Sequence, residues 1–258
     1  MSHLDSGDFI AIIPARLAST RLPNKPLADL AGKPMVVRTA ERALASGAAQ
    51  VIVATDDQSI ADACQQHRLQ VCMTRADHVS GTDRIAEVAQ QLALPDTAVI
   101  VNVQGDEPLI DPLLIAATAA CINAETPVAS AAHRLDNLAD VFNPNVVKVV
   151  LDQKQRAMYF SRAPIPWARD AFAASEQTMP VDYPALRHIG IYAYRRDFLR
   201  TFTELPASQL EQIEALEQLR ILAHAYPIAI HISAQVPAAG VDTPEDLLRV
   251  QQIFATAK

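Results

Sequence analysis

Three cations, Arg16, Arg21 and Lys25, share one stretch, Ile12-Ile13-Pro14-Ala15-Arg16-Leu17-Ala18-Ser19-Thr20-Arg21-Leu22-Pro23-Asn24-Lys25-Pro26, with three prolines and no glycine. Proline fixes its own φ and restricts the residue before it, so this stretch does not easily continue as helix or strand. It follows the apolar run Phe9–Ile13. Cations on a stiff loop just past a strand end suit a triphosphate, because ligands of open α/β sheets bind outside the carboxyl ends of strands. A solvated basic loop accounts for the same residues, and the loop alone leaves both readings open. Asn24, between Pro23 and Lys25, suits a left-handed backbone.

Two segments offer carboxylates. In Val103-Gln104-Gly105-Asp106-Glu107-Pro108, Asp106 lies just past a buried apolar run, where a carboxylate is a natural Mg²⁺ ligand beside phosphate oxygens. Gly105 would let the backbone approach a ligand, although Gly and Pro also punctuate ordinary turns. In Gly240-Val241-Asp242-Thr243-Pro244-Glu245-Asp246, Asp242 precedes a helix, where a cap role suffices. As a second metal carboxylate it has to face Asp106.

The segment Met73-Thr74-Arg75-Ala76-Asp77-His78-Val79-Ser80-Gly81-Thr82-Asp83-Arg84 leads into a helix whose first N–H groups suit a phosphate or a base edge, with Thr82 equally readable as a cap. Three later segments hold further polar groups: Ser161-Arg162-Ala163-Pro164-Ile165-Pro166-Trp167, Arg187-His188-Ile189-Gly190-Ile191-Tyr192 and Leu216-Glu217-Gln218-Leu219-Arg220. With period two, His188, Gly190, Tyr192 and Tyr194 share one strand face, so His188 and Tyr192 can reach one pocket. A His or Tyr on a strand is more commonly a core residue, and Glu217 on a helix is by default a solvated charge.

The elements that must position these groups alternate through the first half. Phe9–Pro14, Gln50–Thr55, Leu69–Met73 and Ala98–Gln104 read as strands; Pro34–Ser46, Asp57–His67, Thr82–Leu92 and Pro112–Ile122 read as helices. Near-continuous Val/Ile runs between helices imply a mostly parallel central sheet flanked by helices, an α/β fold. The pattern then shifts to strands at Val128–His133, Val146–Leu151, Ala157–Phe160 and Arg187–Tyr194, with a turn at Asp152–Lys154 and a loop-rich stretch from Ser161 to Pro184. Ser208–His224 reads as one helix behind a capping box, Pro227–Ser233 as a strand, and the last helix starts at Thr243 with Pro244 first and Asp246 completing a second box. The expectation is a single domain over 1–258 with a smaller inserted lobe near 125–200.

The net charge of −7 and pI near 5.5 argue against general nucleic-acid binding and make the basic loop a local feature. No run approaches the ~20 apolar residues of a membrane span, and Met1–Asp8 lacks the apolar stretch of a signal peptide. Cys64, Cys72 and Cys121 form no CxxC, which fits reduced core thiols in a cytoplasmic protein. The histidines show no zinc-ligand spacing. A dinucleotide-binding dehydrogenase is disfavoured, because no GxGxxG follows the first strand.

The motifs IIPAR-x-x-S-x-RLP-x-KP, MTRADH-x-SGT-D-R, VNVQGDEP, NP-x-VKVV, SRAPIPW, RHIGIYAY, LEQLRIL and GVDTPEDL occur in this order from Ile12 to Leu247. Together they resemble the 3-deoxy-D-manno-octulosonate (Kdo) cytidylyltransferases. The opening motif is shared with sialic-acid cytidylyltransferases; VNVQGDEP, RHIGIY and LEQLR are more specific to the Kdo enzymes. Asn24 departs from the glycine usual there, and Arg169–Tyr183 matches no motif of the family.

The resemblance implies a Rossmann-like nucleotidyltransferase fold and a Mg²⁺-dependent reaction in which CTP and Kdo give CMP-Kdo and pyrophosphate, feeding lipopolysaccharide assembly, commonly in a cytoplasmic homodimer. It places Ala15, Arg16 and Lys25 on CTP, with Arg21 less firmly placed, and Thr74, Arg75, Ser80 and Gly81 around the cytidine part. It places Asp106 and Asp242 on Mg²⁺, and puts Gln104, Arg162, His188, Tyr192, Glu217 and Gln218 at the sugar, with Gln104 also facing the nucleotide. Arg162 would take the sugar carboxylate. The same motifs leave open another ulosonic acid, such as sialic acid or an 8-amino Kdo, or a non-catalytic nucleotide-binding protein.

Overall fold

The computed structural model describes residues 8–17, 22–78 and 80–256. In chain order the elements are β1 (Phe9–Ala15), a single 3-10 turn (Lys25–Leu27), α1 (Met35–Ala45), β2 (Gln50–Thr55), α2 (Gln58–Gln66), β3 (Gln70–Met73), α3 (Gly81–Gln91), β4 (Val99–Asn102) and α4 (Pro112–Ala120). There follow β5 (Val128–Arg134), α5 (Leu138–Phe142), β6 (Lys148–Leu151), β7 (Ala157–Ser161), α6 (Arg169–Ala174), β8 (Leu186–Arg195) and α7 (Arg196–Glu204). The chain closes with α8 (Gln209–Glu214), α9 (Gln218–Ala223), β9 (Ile228–Ser233) and α10 (Pro244–Thr256).

Two compact units emerge. The first takes the described residues of Met1–Ala120, Ile191–Thr203 and Pro237–Lys258; the second takes Cys121–Gly190 and Glu204–Val236.

In the first unit β1 pairs in parallel with β2 and β4, β2 pairs in parallel with β3, and the second half of β8 pairs antiparallel with β4, Asn102 opposite Tyr192. Ile10, Ile12, Ile13, Ile52, Val53, Ile100 and Val101 are fully buried, as expected of strands covered on both faces. The helices start on local signals. Asp57 caps α2 by accepting from the N–H groups of Ser59 and Ile60. Ser80 caps α3 in a reciprocal box with Asp83, and α1 ends before Gly47, whose φ of 81° glycine tolerates at no cost.

In the second unit β5 pairs in parallel with β9, and β6 pairs antiparallel with β7 and with the start of β8. A cluster of Leu135, Val141, Val146, Phe172, Tyr183 and Ala185 forms a core there.

Several sequence expectations change. The stretch Ser161–Pro184 contains α6, whose Phe172 packs into that core. The helix expected over Ser208–His224 is two helices, broken at Ala215, which takes a left-handed φ of 51°. Thr82 is not the cap of α3; Ser80 is, and Thr82 is buried in the first turn. The helix α5 and the 3-10 turn at Lys25 are too short to carry a readable period, whereas α7 shows an apolar stripe at Phe198, Leu199 and Phe202 that the sequence reading passed over. Arg21 lies outside the described residues.

Candidate active site

The strand ends of the first unit open onto a cleft of about 440 Å³. Ala15 and Arg16 come from the end of β1, Lys25 from the 3-10 turn, Ser80 and Gly81 from the start of α3, and Gln104 and Asp106 from the loop after β4. Asp242 lines it from the turn before α10.

Each piece is held by a local cause. Asn24 adopts a left-handed φ of 54° and opens the turn that presents Lys25. Gly105 packs against β1 so closely that a Cβ there would lie 3.0 Å from the Pro14 carbonyl oxygen, so any side chain would push the loop off the strand. Thr243 and Asp246 form the expected capping box: the Thr243 hydroxyl accepts from the Asp246 N–H, and the Asp246 carboxylate accepts from the Thr243 N–H. Asp242 is therefore not the helix cap. It is carried by Val241, which is buried with Leu30, Met35 and Val250, and its neighbour Val241 donates N–H to the Asp106 carbonyl at 2.9 Å.

The two candidate carboxylates converge on one ammonium. Lys25 Nζ lies 2.5 Å from Asp106 Oδ2 and 3.2 Å from Asp242 Oδ1. Burial pulls the Lys25 pKa down, but hydrogen bonds and charge from Asp106 and Asp242 outweigh it and hold the group above the usual lysine range. Beside them Glu107 has its carboxyl pushed up to about 7, by burial and by the charge of Asp106. A lysine ammonium between two carboxylates is a stand-in for a cation, so Asp106 and Asp242 fit a divalent metal whose other ligands are phosphate oxygens. Among the described residues no group of three or more His, Cys, Asp or Glu forms a metal cage.

Other expected nucleotide residues are placed less directly. Thr74 and Arg75 are not among the residues lining the cleft. Thr74 Oγ1 instead accepts from Arg84, a buried side chain that does line it and also pairs with Asp56 at 3.3 Å. Arg75 is exposed beside Asp77, while its backbone N–H donates to Glu87. His78 lines the cleft and is held by Glu87. The sequence reading missed His78 and Arg84, although both sit inside the motif that named their neighbours.

Tyr192 belongs to the first unit, where its ring stacks on Tyr194 with centroids 5.9 Å apart. Arg162, His188, Glu217 and Gln218 belong to the second. His188 meets Ser130 Oγ at 2.9 Å and the Phe160 ring at 4.9 Å, and burial pushes its pKa down to about 3, so the ring is neutral. Arg162 is spent on backbone: Nε donates to Glu214 O at 2.7 Å, Nη1 to Pro144 O at 3.0 Å and Nη2 to Ala215 O at 3.4 Å. That clamp is a different task from the carboxylate recognition expected of it. Glu217 precedes α9, and Gln218 is buried with its Nε2 unpaired among the described residues. Lys148, which sequence reading also passed over, is fully buried and donates to three carbonyls, of Asn143, Val146 and Arg162.

A family described as Cytidylyltransferase matches residues 10–229. The chain belongs to the cytidylyltransferase family. A relative from Herminiimonas arsenicoxydans, named 3-deoxy-manno-octulosonate cytidylyltransferase, is 68% identical over 246 residues, 95% of this cytidylyltransferase and 98% of the relative. A solved structure of CMP:2-keto-3-deoxy-manno-octonic acid synthetase complexed with CTP superposes with a TM-score of 0.88 at 41% identity, covering 97% of this chain and 100% of that one. A nucleotidyl transferase from Methanothermobacter thermautotroptrophicus shares the fold of the cytidylyltransferase at 16% identity, with a TM-score of 0.62 over 98% of this chain and 100% of that one.

Proposed function

We propose that this cytidylyltransferase transfers CMP from CTP to the C2 hydroxyl of 3-deoxy-manno-octulosonate and releases pyrophosphate. The observation that carries the reading is the convergence of Asp106 and Asp242 on Lys25 at the strand-end cleft, in a chain 68% identical to a relative named for that reaction.

The chain's own groups act by position and charge. Arg16 is exposed at the rim and meets the triphosphate. Lys25 leaves the carboxylates as the triphosphate arrives and then neutralises charge building on the departing pyrophosphate. Ser80 and Gly81, at the start of α3, face the nucleotide. Asp106 and Asp242 would hold Mg²⁺, which when bound supplies Lewis-acid neutralisation of phosphate oxygens. Gln104, which lines the cleft, is assigned to the sugar, where hydroxyl-matched polar groups penalise analogues lacking a hydroxyl. The same proposal includes Mg²⁺ dependence, a cytoplasmic homodimer, and a product consumed in lipopolysaccharide assembly.

The test is pyrophosphate release with CTP, UTP, ATP and GTP against Kdo, 8-amino Kdo and sialic acid. Turnover with CTP and Kdo above every other pair supports the proposal. A preference for sialic acid or the amino sugar moves the substrate, and no turnover with CTP and any ulosonic acid removes the reaction.

A further inference from the structure

We propose that Thr39, on the central turn of α1, is a positioning residue for Asp106. The inference rests on the reading of Asp106 as a metal carboxylate. Thr39 is fully buried, yet its hydroxyl is polar and needs a partner. Oγ1 lies 3.1 Å from the Gly105 carbonyl oxygen and 3.2 Å from the carbonyl of Met35, one turn back in its own helix. The Met35 contact is the ordinary local bond of a helical threonine. The Gly105 contact is not local: it crosses 66 residues to the peptide that joins Gly105 to Asp106.

That peptide sets where the Asp106 side chain points, because rotating it swings the Asp106 Cα–Cβ bond. The remaining contacts around it leave that rotation to Thr39. On one side Gly105 is pressed to β1, 3.0 Å separating the Pro14 oxygen from where a Cβ would stand. On the far side the Asp106 carbonyl accepts from Val241 N. Among the described residues, only the Thr39 hydroxyl holds the carbonyl of the linking peptide. One turn further along α1, and on the same face, Arg42 Nε donates to the Ile110 carbonyl at 2.8 Å, so α1 grips the loop at both ends. An isosteric Val at position 39 keeps the packing, removes the donor and frees the peptide to turn. A carboxylate displaced by a fraction of an ångström binds a metal less well and aligns the phosphate less well.

The experiment compares wild type with Thr39→Val, Thr39→Ser and Asp106→Ala, reading Mn²⁺ affinity by electron paramagnetic resonance with a non-reacting CTP analogue bound, kcat and KM for CTP, and thermal midpoint. Thr39→Val is expected to weaken Mn²⁺ binding and lower kcat by about tenfold each, with KM for CTP nearly unchanged. Thr39→Ser, which keeps the donor, is expected to restore both. Mn²⁺ affinity that survives Asp106→Ala overturns the metal reading and the route by which Thr39 acts. Affinity lost in Asp106→Ala but retained in Thr39→Val overturns the Thr39 assignment alone. A lowered thermal midpoint with kcat and Mn²⁺ affinity intact, or a Ser variant no better than Val, makes Thr39 a packing residue and overturns it as well.

Discussion

The Lys25 ammonium lies 2.5 Å from the Asp106 carboxylate, and the same nitrogen reaches Asp242 at 3.2 Å. Two acids brought together at a cleft repel each other unless a cation stands between them. Here that cation is the Lys25 side chain. Charge balance in the cleft therefore depends on where Lys25 points, and an incoming triphosphate competes with both acids for it.

Lys25→Met should expose the two acids to free cations. Mn²⁺ affinity without nucleotide is expected to rise by about tenfold, a modest share of the ~4 kcal/mol that unit charges 4 Å apart exchange near a protein surface. Turnover should fall at the same time, since the leaving group loses its counter-charge. Unchanged Mn²⁺ binding, measured by electron paramagnetic resonance, would show that Lys25 does not hold the place of a metal.

Asp106→Asn and Asp242→Asn should each lower kcat by at least about a hundredfold, the scale seen when one electrostatic stabiliser is removed. Melting temperature should barely move, because both carboxylates are at least partly exposed. Near-normal turnover at saturating Mg²⁺ in either variant would sink the metal assignment.

Arg162→Ala should cost stability before it costs affinity. Three backbone carbonyls lose a charged donor, and unfolding free energy in urea is expected to drop by about 2–3 kcal/mol. Lysine should recover little of this, since it lacks the planar fork. Unaltered stability with a raised KM for Kdo would return Arg162 to the sugar.

His188 should stay neutral in the folded protein down to about pH 3. An unfolded histidine takes a proton near pH 6.5. Between these values the unfolded chain binds the extra proton, so the contribution of His188 to stability is complete above about pH 6.5 and drains as pH falls toward 3. The ring ¹⁵N shifts of His188 in the folded state should remain flat from pH 8 to pH 4; a midpoint near 6 would contradict the burial of this ring.

Ala215→Gly should stabilise the protein. Ala215 closes α8 with a left-handed φ of 51°, a conformation that costs an L-residue with a Cβ about 1–2 kcal/mol. The gain is offset in part by glycine's greater freedom when unfolded. A chemical melt showing a lower unfolding free energy would mean that contacts of the Ala215 methyl outweigh the strain.

The parallel core was legible because Ile10 to Ile13, Ile52 to Val53 and Ile100 to Val101 are short, uninterrupted apolar runs rich in β-branched residues, alternating with helical segments, as strands buried on both faces require. Capping boxes at Ser208 and Thr243 were legible because their donors and acceptors are three residues apart. What escaped depends on distance along the chain or on backbone strain. No local pattern announces that a helix stops at Ala215, that Asp242 turns from the helix to a lysine, or that Arg162 grips carbonyls of Pro144 and Glu214. Arg84 was hidden differently: a charged residue on a helix is by default solvated, and only the fold shows Arg84 buried between Thr74 and Asp56.

Asp242 follows Lys25 by 217 residues, and Val241 reaches back to the Asp106 carbonyl. On the ribosome, where the chain emerges amino end first, Lys25 and Asp106 are exposed long before their third member exists. An interrupted polypeptide that stops short of Val241 carries one acid of the pair and a Gln104–Pro108 loop without the bond from Val241 to the Asp106 carbonyl. Products that stop short of Val241 therefore cannot assemble this three-residue charge centre.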